Sequence, residues 1–126
     1  MTAAQALVRS LVREGIEVVF GLPGVQIMDV YDALYDEPGI RVITCRHEQS
    51  AAYMADGYSR STGKIGVAWV VPGPGVQNAS AGIGTAYASS SSILVIAGQV
   101  ESYNLNKDRG AVHEIVDQMD ILKNVT

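Results

Sequence analysis

The chain has 126 residues, 48% of them hydrophobic and 17% charged, which fits one α/β-sized domain with a core of its own and not two. Nine Lys and Arg against thirteen Asp and Glu give a net charge of −4, and the cations are scattered, so the electrostatic footprint of a nucleic-acid binder is missing. No apolar stretch approaches the roughly 20 residues that span a bilayer, no basic and apolar leader opens the sequence, and a single cysteine, Cys45, permits no internal disulfide; the expectation is a soluble chain of a reducing, cytoplasmic compartment.

In chain order, Ala3, Ala6, Leu7, Ser10 and Leu11 recur at three- and four-residue spacing between Thr2, an N-cap residue, and Gly15, a C-cap residue, which predicts a first helix over 3–12. The β-branched run 16–20 predicts a strand, stopped by the turn Gly21-Leu22-Pro23-Gly24. The phrase then repeats. Ile27, Val30, Tyr31 and Leu34 form a helical face, Pro38-Gly39 breaks it, 40–44 is a second strand, and 48–60 is helical up to Thr62-Gly63. A third strand, 65–71, runs into Pro72-Gly73-Pro74-Gly75. The helix predicted over 76–88 is rich in Ala, Gly and Ser, and Gly82 and Gly84 weaken it by about 1 kcal/mol each against alanine; so few large side chains suit close approach to another surface. Four serines, 89–92, turn the chain into a fourth strand, 93–97, then a polar loop, 98–110, and a last helical stretch, 113–122. Short buried strands alternating with helices predict an α/β fold with a doubly wound, mostly parallel sheet covered on both faces.

In such a sheet ligands bind beyond the carboxyl ends of the strands, so the informative segments follow strands: 21–24, 45–48, 72–75 and Gly98-Gln99. Glycines there admit a ligand or a neighbouring backbone, although the same residues also serve plain strand-to-helix turns. Gly73-Pro74-Gly75-Val76-Gln77-Asn78 starts like a dinucleotide fingerprint, but Asn78 stands in place of the third glycine, and no P-loop lysine is present. Glu48, after a core strand, sits where drying favours a shared proton; as a first-turn acid it equally suits the helix dipole. His47 suits a turn, Cys45 a small buried position. Two histidines and one cysteine without paired spacing offer no transition-metal site.

Taken together, Gly21-Leu22-Pro23-Gly24, the run from Arg46-His47-Glu48 to Thr62-Gly63-Lys64, Gly73 to Asn78 and Gly98-Gln99 resemble the N-terminal pyrimidine-binding domain of thiamine diphosphate-dependent enzymes, and most nearly that of the acetolactate synthase large subunit. The ordered motifs cover nearly the whole chain. The resemblance implies a flavodoxin-like fold over 1–126, as one domain of a longer enzyme acting on 2-keto acids. It implies that Glu48 hydrogen-bonds N1′ of the cofactor's aminopyrimidine and favours the imino tautomer that takes the thiazolium proton. Leu22, Pro23, Pro74 and Asn78 would line the pyrimidine pocket, and Gln99 would lie near the reacting side. The full enzyme would be a homodimer or homotetramer.

Two segments depart from acetolactate synthases: Val25 stands where a second glycine is usual, and Ala111-Val112-His113-Glu114 where Ala-Phe-Gln-Glu is usual. His113 is a candidate proton donor facing the substrate, or an exposed residue at a helix start. The Gly-Asp-Gly segment that holds Mg²⁺ and the diphosphate in this family is absent from these residues, so Mg²⁺ is expected to bind through a separate diphosphate-binding domain. A FAD-binding middle domain is likewise outside them, and use of FAD stays open. The resemblance leaves two alternatives: a thiamine-dependent decarboxylase or carboligase of another substrate class, or a non-catalytic association module of the same fold.

Overall fold

Helix α1 (Ala3–Arg13) opens with Thr2 accepting from the Gln5 backbone N–H while the Gln5 side chain accepts from Thr2, a reciprocal capping box. Gly15 follows its last turn at φ 73°, the left-handed conformation a β-carbon resists. The computed structural model describes residues 1–126. Strand β1 (Val18–Gly21), a 3₁₀ turn (Val25–Ile27), α2 (Met28–Tyr35), β2 (Arg41–Thr44), α3 (Glu48–Thr62), β3 (Gly66–Val70), α4 (Pro74–Ala88), β4 (Ile93–Ala97) and α5 (Gln118–Leu122) complete the order. No helix is long and apolar enough to cross a membrane.

The four strands form one parallel sheet in the order β2-β1-β3-β4. The chain leaves β1 for one neighbour, β2, and then crosses back to place β3 on the other side of β1. The strand order therefore reverses between β1 and β3, and the loops after these two strands flank the crevice where an open α/β sheet binds ligands.

Alternation along β3 fixes the two layers. Val67, Trp69 and Val71 join Val8 and Leu11 of α1 and Leu34 of α2 on one face, while Ala68 and Val70 face Ala51, Ala52 and Ala55 of α3 and Val76, Ala79 and Ile83 of α4 on the other. Trp69 is 1% exposed and Val67 fully buried; burial of a valine side chain contributes about 1.5 to 3 kcal/mol. The expected doubly wound α/β fold is what the chain adopts.

The small residues of α4 have a visible use. A β-carbon on Gly82 would lie 2.6 Å from Ala52 Cβ and 3.0 Å from the Tyr53 backbone nitrogen, so the close approach anticipated for this helix is made, at Gly82, to α3 of the same chain.

The last helical stretch, expected over 113–122, is a correction. Only Gln118–Leu122 is helical, capped by Asp117, whose carboxylate accepts from the Asp120 N–H. Upstream, Glu114 accepts from the Arg109 and Ala111 backbone N–H groups, at 3.0 and 2.9 Å, which folds 109–114 into a loop. His113 has φ 66°, incompatible with a right-handed helix.

Candidate functional site

Cys45 N–H still donates to Gly21 O at 2.8 Å, extending the β1–β2 ladder, so α3 starts directly from the sheet edge. His47, in extended backbone at φ −160°, is its N-cap: ring Nδ1 accepts from the Gln49 N–H at 3.2 Å. Glu48 follows as the first helical residue and is 7% exposed.

Across the crevice, α4 begins with Pro74 after Gly73, whose φ of 59° is again left-handed. Asn78, one turn into that helix, donates from Nδ2 to Glu48 Oε2 at 3.0 Å. A β-carbon on Gly75 would stand 2.6 Å from Val71 Cγ2 and 3.5 Å from Glu48 Oε1. No hydrogen bond from the chain reaches Oε1. The carboxylate thus lies beside the starts of two helices, where partial positive charge favours an anion, with one oxygen held by Asn78 and the other available.

The structure brings together Glu48 and Asn78, two of the residues singled out from the sequence, with Pro74 on the same helix start as Asn78. Leu22, half-buried, and Pro23, exposed, follow β1 on the other side of the strand reversal, where the Leu22 N–H reaches Trp69 O at 3.4 Å. This loop is seated tightly. The Tyr31 hydroxyl and Trp69 O fill the space a β-carbon on Gly21 would need, and Val71 fills that of Gly24. Burial pushes the Tyr31 phenol up to about 12, with Cys45 adding to the effect.

Neither Gln99 nor His113 hydrogen-bonds to Glu48. The Gln99 side chain turns back on its own backbone, accepting from the Val100 N–H at 2.8 Å. His113, half-buried, shares its Nδ1 with Gln26 Oε1 at 3.2 Å, and Gln26 Nε2 donates to Val112 O at 2.8 Å.

Two glutamines that sequence reasoning did not single out hold the 111–118 segment over the crevice. Gln26 grips it at Val112 and His113. Gln118 accepts from the Gly73 N–H at 2.9 Å and donates to Gly98 O at 3.1 Å, tying the start of α4 to the end of β4. Neither stands in a motif, and a continuous helix over 113–122 would have made Gln118 an ordinary helical residue; only the tertiary fold joins positions 26 and 113, or 73 and 118. None of the chain's cavities is lined by Glu48: one of about 370 Å³ lies within the 106–116 loop, and an apolar groove of about 510 Å³ lies between α4, β4 and the last residues. The carboxylate is buried between the two helix starts rather than in a cavity.

The profile of the family described as thiamine pyrophosphate enzyme, N-terminal TPP binding domain, matches residues 1–121. The acetolactate synthase large subunit of Buchnera aphidicola subsp. Schizaphis graminum is 50% identical over 108 residues, 86% of this chain and 19% of that protein. The acetolactate synthase isozyme 3 large subunit of Escherichia coli is 45% identical over the same shares. A protein of Pseudomonas aeruginosa named "Probable 2-ketoarginine decarboxylase AruI" is 47% identical over 126 residues, all of this chain and 22% of that protein. The chain spans about a fifth of the length of these curated relatives.

Proposed function

Because the chain belongs to the thiamine pyrophosphate enzymes, as their N-terminal TPP-binding domain, we propose that it forms the pyrimidine half of a thiamine diphosphate site in a longer enzyme acting on 2-keto acids, with Glu48 as the residue that manages the cofactor's proton. The observation that carries this reading is the Glu48 carboxylate: buried, fixed through Oε2 by Asn78, and with Oε1 free of any donor from the chain. Those residues fit an aminopyrimidine, which brings a flat ring and a ring nitrogen able to carry a proton, and Gly75 keeps the approach to Oε1 clear of a side chain.

Each residue then has a defined task. Glu48 shares a proton with the ring nitrogen N1′; Asn78 orients the carboxyl; Leu22, Pro23 and Pro74 flank the ring and keep water from it; Gln99 stands toward the reacting side. His113 gives a proton to the substrate. Bound thiamine diphosphate would supply the carbon nucleophile that adds to the keto carbon of a 2-keto acid. We assign the diphosphate and Mg²⁺ to a separate domain of the longer chain, in keeping with the fifth of the relatives' length covered here. The exposed Tyr53 and Met54 on α3, the helix that Glu48 begins, suit contact with a second subunit in a homodimer or homotetramer, and the unpaired thiol suits a reducing, cytoplasmic setting.

Acetolactate formation is the first substrate reading, supported by relatives of that name. Decarboxylation of another 2-keto acid is the second, favoured by a match that covers all of this chain and 22% of the protein named as a probable 2-ketoarginine decarboxylase, and by Val112-His113. The full-length enzyme assayed for acetolactate formation and for CO₂ release from 2-ketoarginine separates them. In either case Glu48→Gln should lower turnover by about 10²- to 10⁴-fold while leaving cofactor affinity nearly unchanged; undiminished turnover with both substrates would remove Glu48 from the chemistry.

A further inference from the structure

A neutral imidazole carries one proton on two nitrogens, and which nitrogen holds it is set by what the other must do. At His113 the surroundings leave one solution. Val112 O, a backbone carbonyl, can only accept, so the Gln26 side-chain atom 2.8 Å from it is the amide nitrogen. The other end of that amide, 3.2 Å from His113 Nδ1, is therefore the oxygen, which also can only accept. Nδ1 must then carry a hydrogen. His113 Nε2 has no hydrogen-bond partner in the chain.

We propose that Gln26 is a positioning residue that fixes His113 as its Nδ1–H tautomer and so makes Nε2 the nitrogen through which this histidine gains and loses its proton. The backbone around it keeps the arrangement. His113 sits at φ 66°, its carbonyl oxygen fills the space a β-carbon on Gly73 would need, 2.5 Å away, and Gln26 bonds to both Val112 and His113, so ring and backbone are registered together. As an acid, the ring breaks its Nε2–H bond, leaves the electron pair on Nε2 and passes the proton to a substrate oxygen; as a base it reverses the step. Nδ1 keeps its hydrogen on Gln26 throughout. The tautomer stands on the geometry alone, whereas the transfer to substrate rests on the reading that places His113 at the substrate.

The other histidine supplies an internal contrast. His47 Nδ1 accepts from the Gln49 N–H, so its proton belongs on Nε2. The two histidines are therefore opposite tautomers. The test is nitrogen NMR of the full-length enzyme labelled with ring-¹⁵N histidine, at about pH 9, above the ordinary histidine range, with signals assigned by single His47→Gln and His113→Gln substitutions. The expected spectrum shows Nδ1–H for His113 and Nε2–H for His47. Gln26→Leu should shift His113 from one tautomer toward a mixture rich in Nε2–H and leave His47 unmoved, while Gln26→Glu, which still accepts from Nδ1, should retain Nδ1–H. Nε2–H at His113 in the unsubstituted enzyme overturns the proposal, as does an unchanged tautomer in Gln26→Leu; should that variant not fold, the unsubstituted and Gln26→Glu spectra decide. Undiminished turnover in His113→Gln would instead remove the substrate-facing role and leave the tautomer in place, so the two failures are distinguishable.

Discussion

At position 56 a carboxylate is 6% exposed and survives there because Arg60, one turn on, grips it with two contacts, Nε to Oδ1 at 2.9 Å and Nη2 to Oδ2 at 2.8 Å, and also donates to Ser89 Oγ at 2.6 Å. The pairing ties α3 to the turn after α4. Hydrogen bonding from Arg60, the largest effect, holds the Asp56 carboxyl below its ordinary value of 3.8 against the opposing effect of burial. A carboxyl depressed in the folded state contributes stability that is present above its unfolded value and lost as pH falls toward the folded one. Asp56→Asn should therefore lower the urea midpoint at neutral pH, and the gap to the unsubstituted protein should narrow as pH drops below 3.8; a gap that stays constant from neutral pH to pH 3 would contradict this. Asp56 was invisible in the sequence because an acid four residues before an arginine on a helix is ordinarily a solvated surface pair. The position of Glu48 at a helix start after a strand is legible, since it is local, whereas Gln26 and Gln118 act only through partners far along the chain.

Among the elements, α3 and α4 show how a single glycine can set a packing distance. Gly82 meets Ala52 and the Tyr53 backbone, but a β-carbon on Gly84 would find only Val125, at 3.5 and 3.9 Å. The two glycines are alike in helix propensity, so alanine substitution separates packing from propensity. Gly82→Ala forces α3 and α4 apart and should destabilise by about 1 to 3 kcal/mol despite the better helix former; Gly84→Ala has room and should stabilise by up to about 1 kcal/mol. Thermal or urea unfolding of both variants gives the answer, and equal effects of the same sign would contradict the packing account. The same elements show what was readable from sequence. Periodicity and the punctuation at Thr2, Gly15, Pro38-Gly39 and Gly63 located α1 to α4 and the four strands to within two or three residues. It failed over 113–117, where apolar spacing resembled a helix but Glu114 spends its carboxylate on the Arg109 and Ala111 N–H groups and Asp117 caps a later start.

For the whole molecule, the doubly wound sheet follows from strand runs too buried to alternate with solvent: every residue of β3 is buried, while β4, at the edge, is only partly covered. Parallel strands bring the segments after β1, β2 and β3 to one edge of the sheet, and that placement, rather than any single motif, brings Glu48 and Asn78 together. The same architecture leaves apolar side chains uncovered. Tyr53 and Met54 on α3 are 42% and 43% exposed and Tyr87 on α4 is 62% exposed. Exposed apolar surface of this kind favours association, so the 126-residue chain should self-associate at high concentration in analytical sedimentation; a clean monomer would count against a subunit contact through these helices. Titrated with thiamine diphosphate and Mg²⁺ in a calorimeter, the isolated chain should bind weakly if, as proposed, a separate domain holds the diphosphate, and tight binding would place the diphosphate site within these residues.

The proposed role of Glu48, managing the proton of the cofactor's aminopyrimidine, is read out by exchange of the thiazolium C2 proton into heavy water, followed by NMR on the full-length enzyme. Loss of a positioned acid–base group costs about 10²- to 10⁴-fold in rate, whereas loss of a first-turn charge costs about 0.3 to 1 kcal/mol of stability and no chemistry. Exchange should therefore slow by two to four orders of magnitude in Glu48→Gln with the fold and cofactor affinity retained. An unchanged exchange rate beside a lowered melting temperature would make Glu48 a helix-start residue and contradict the account.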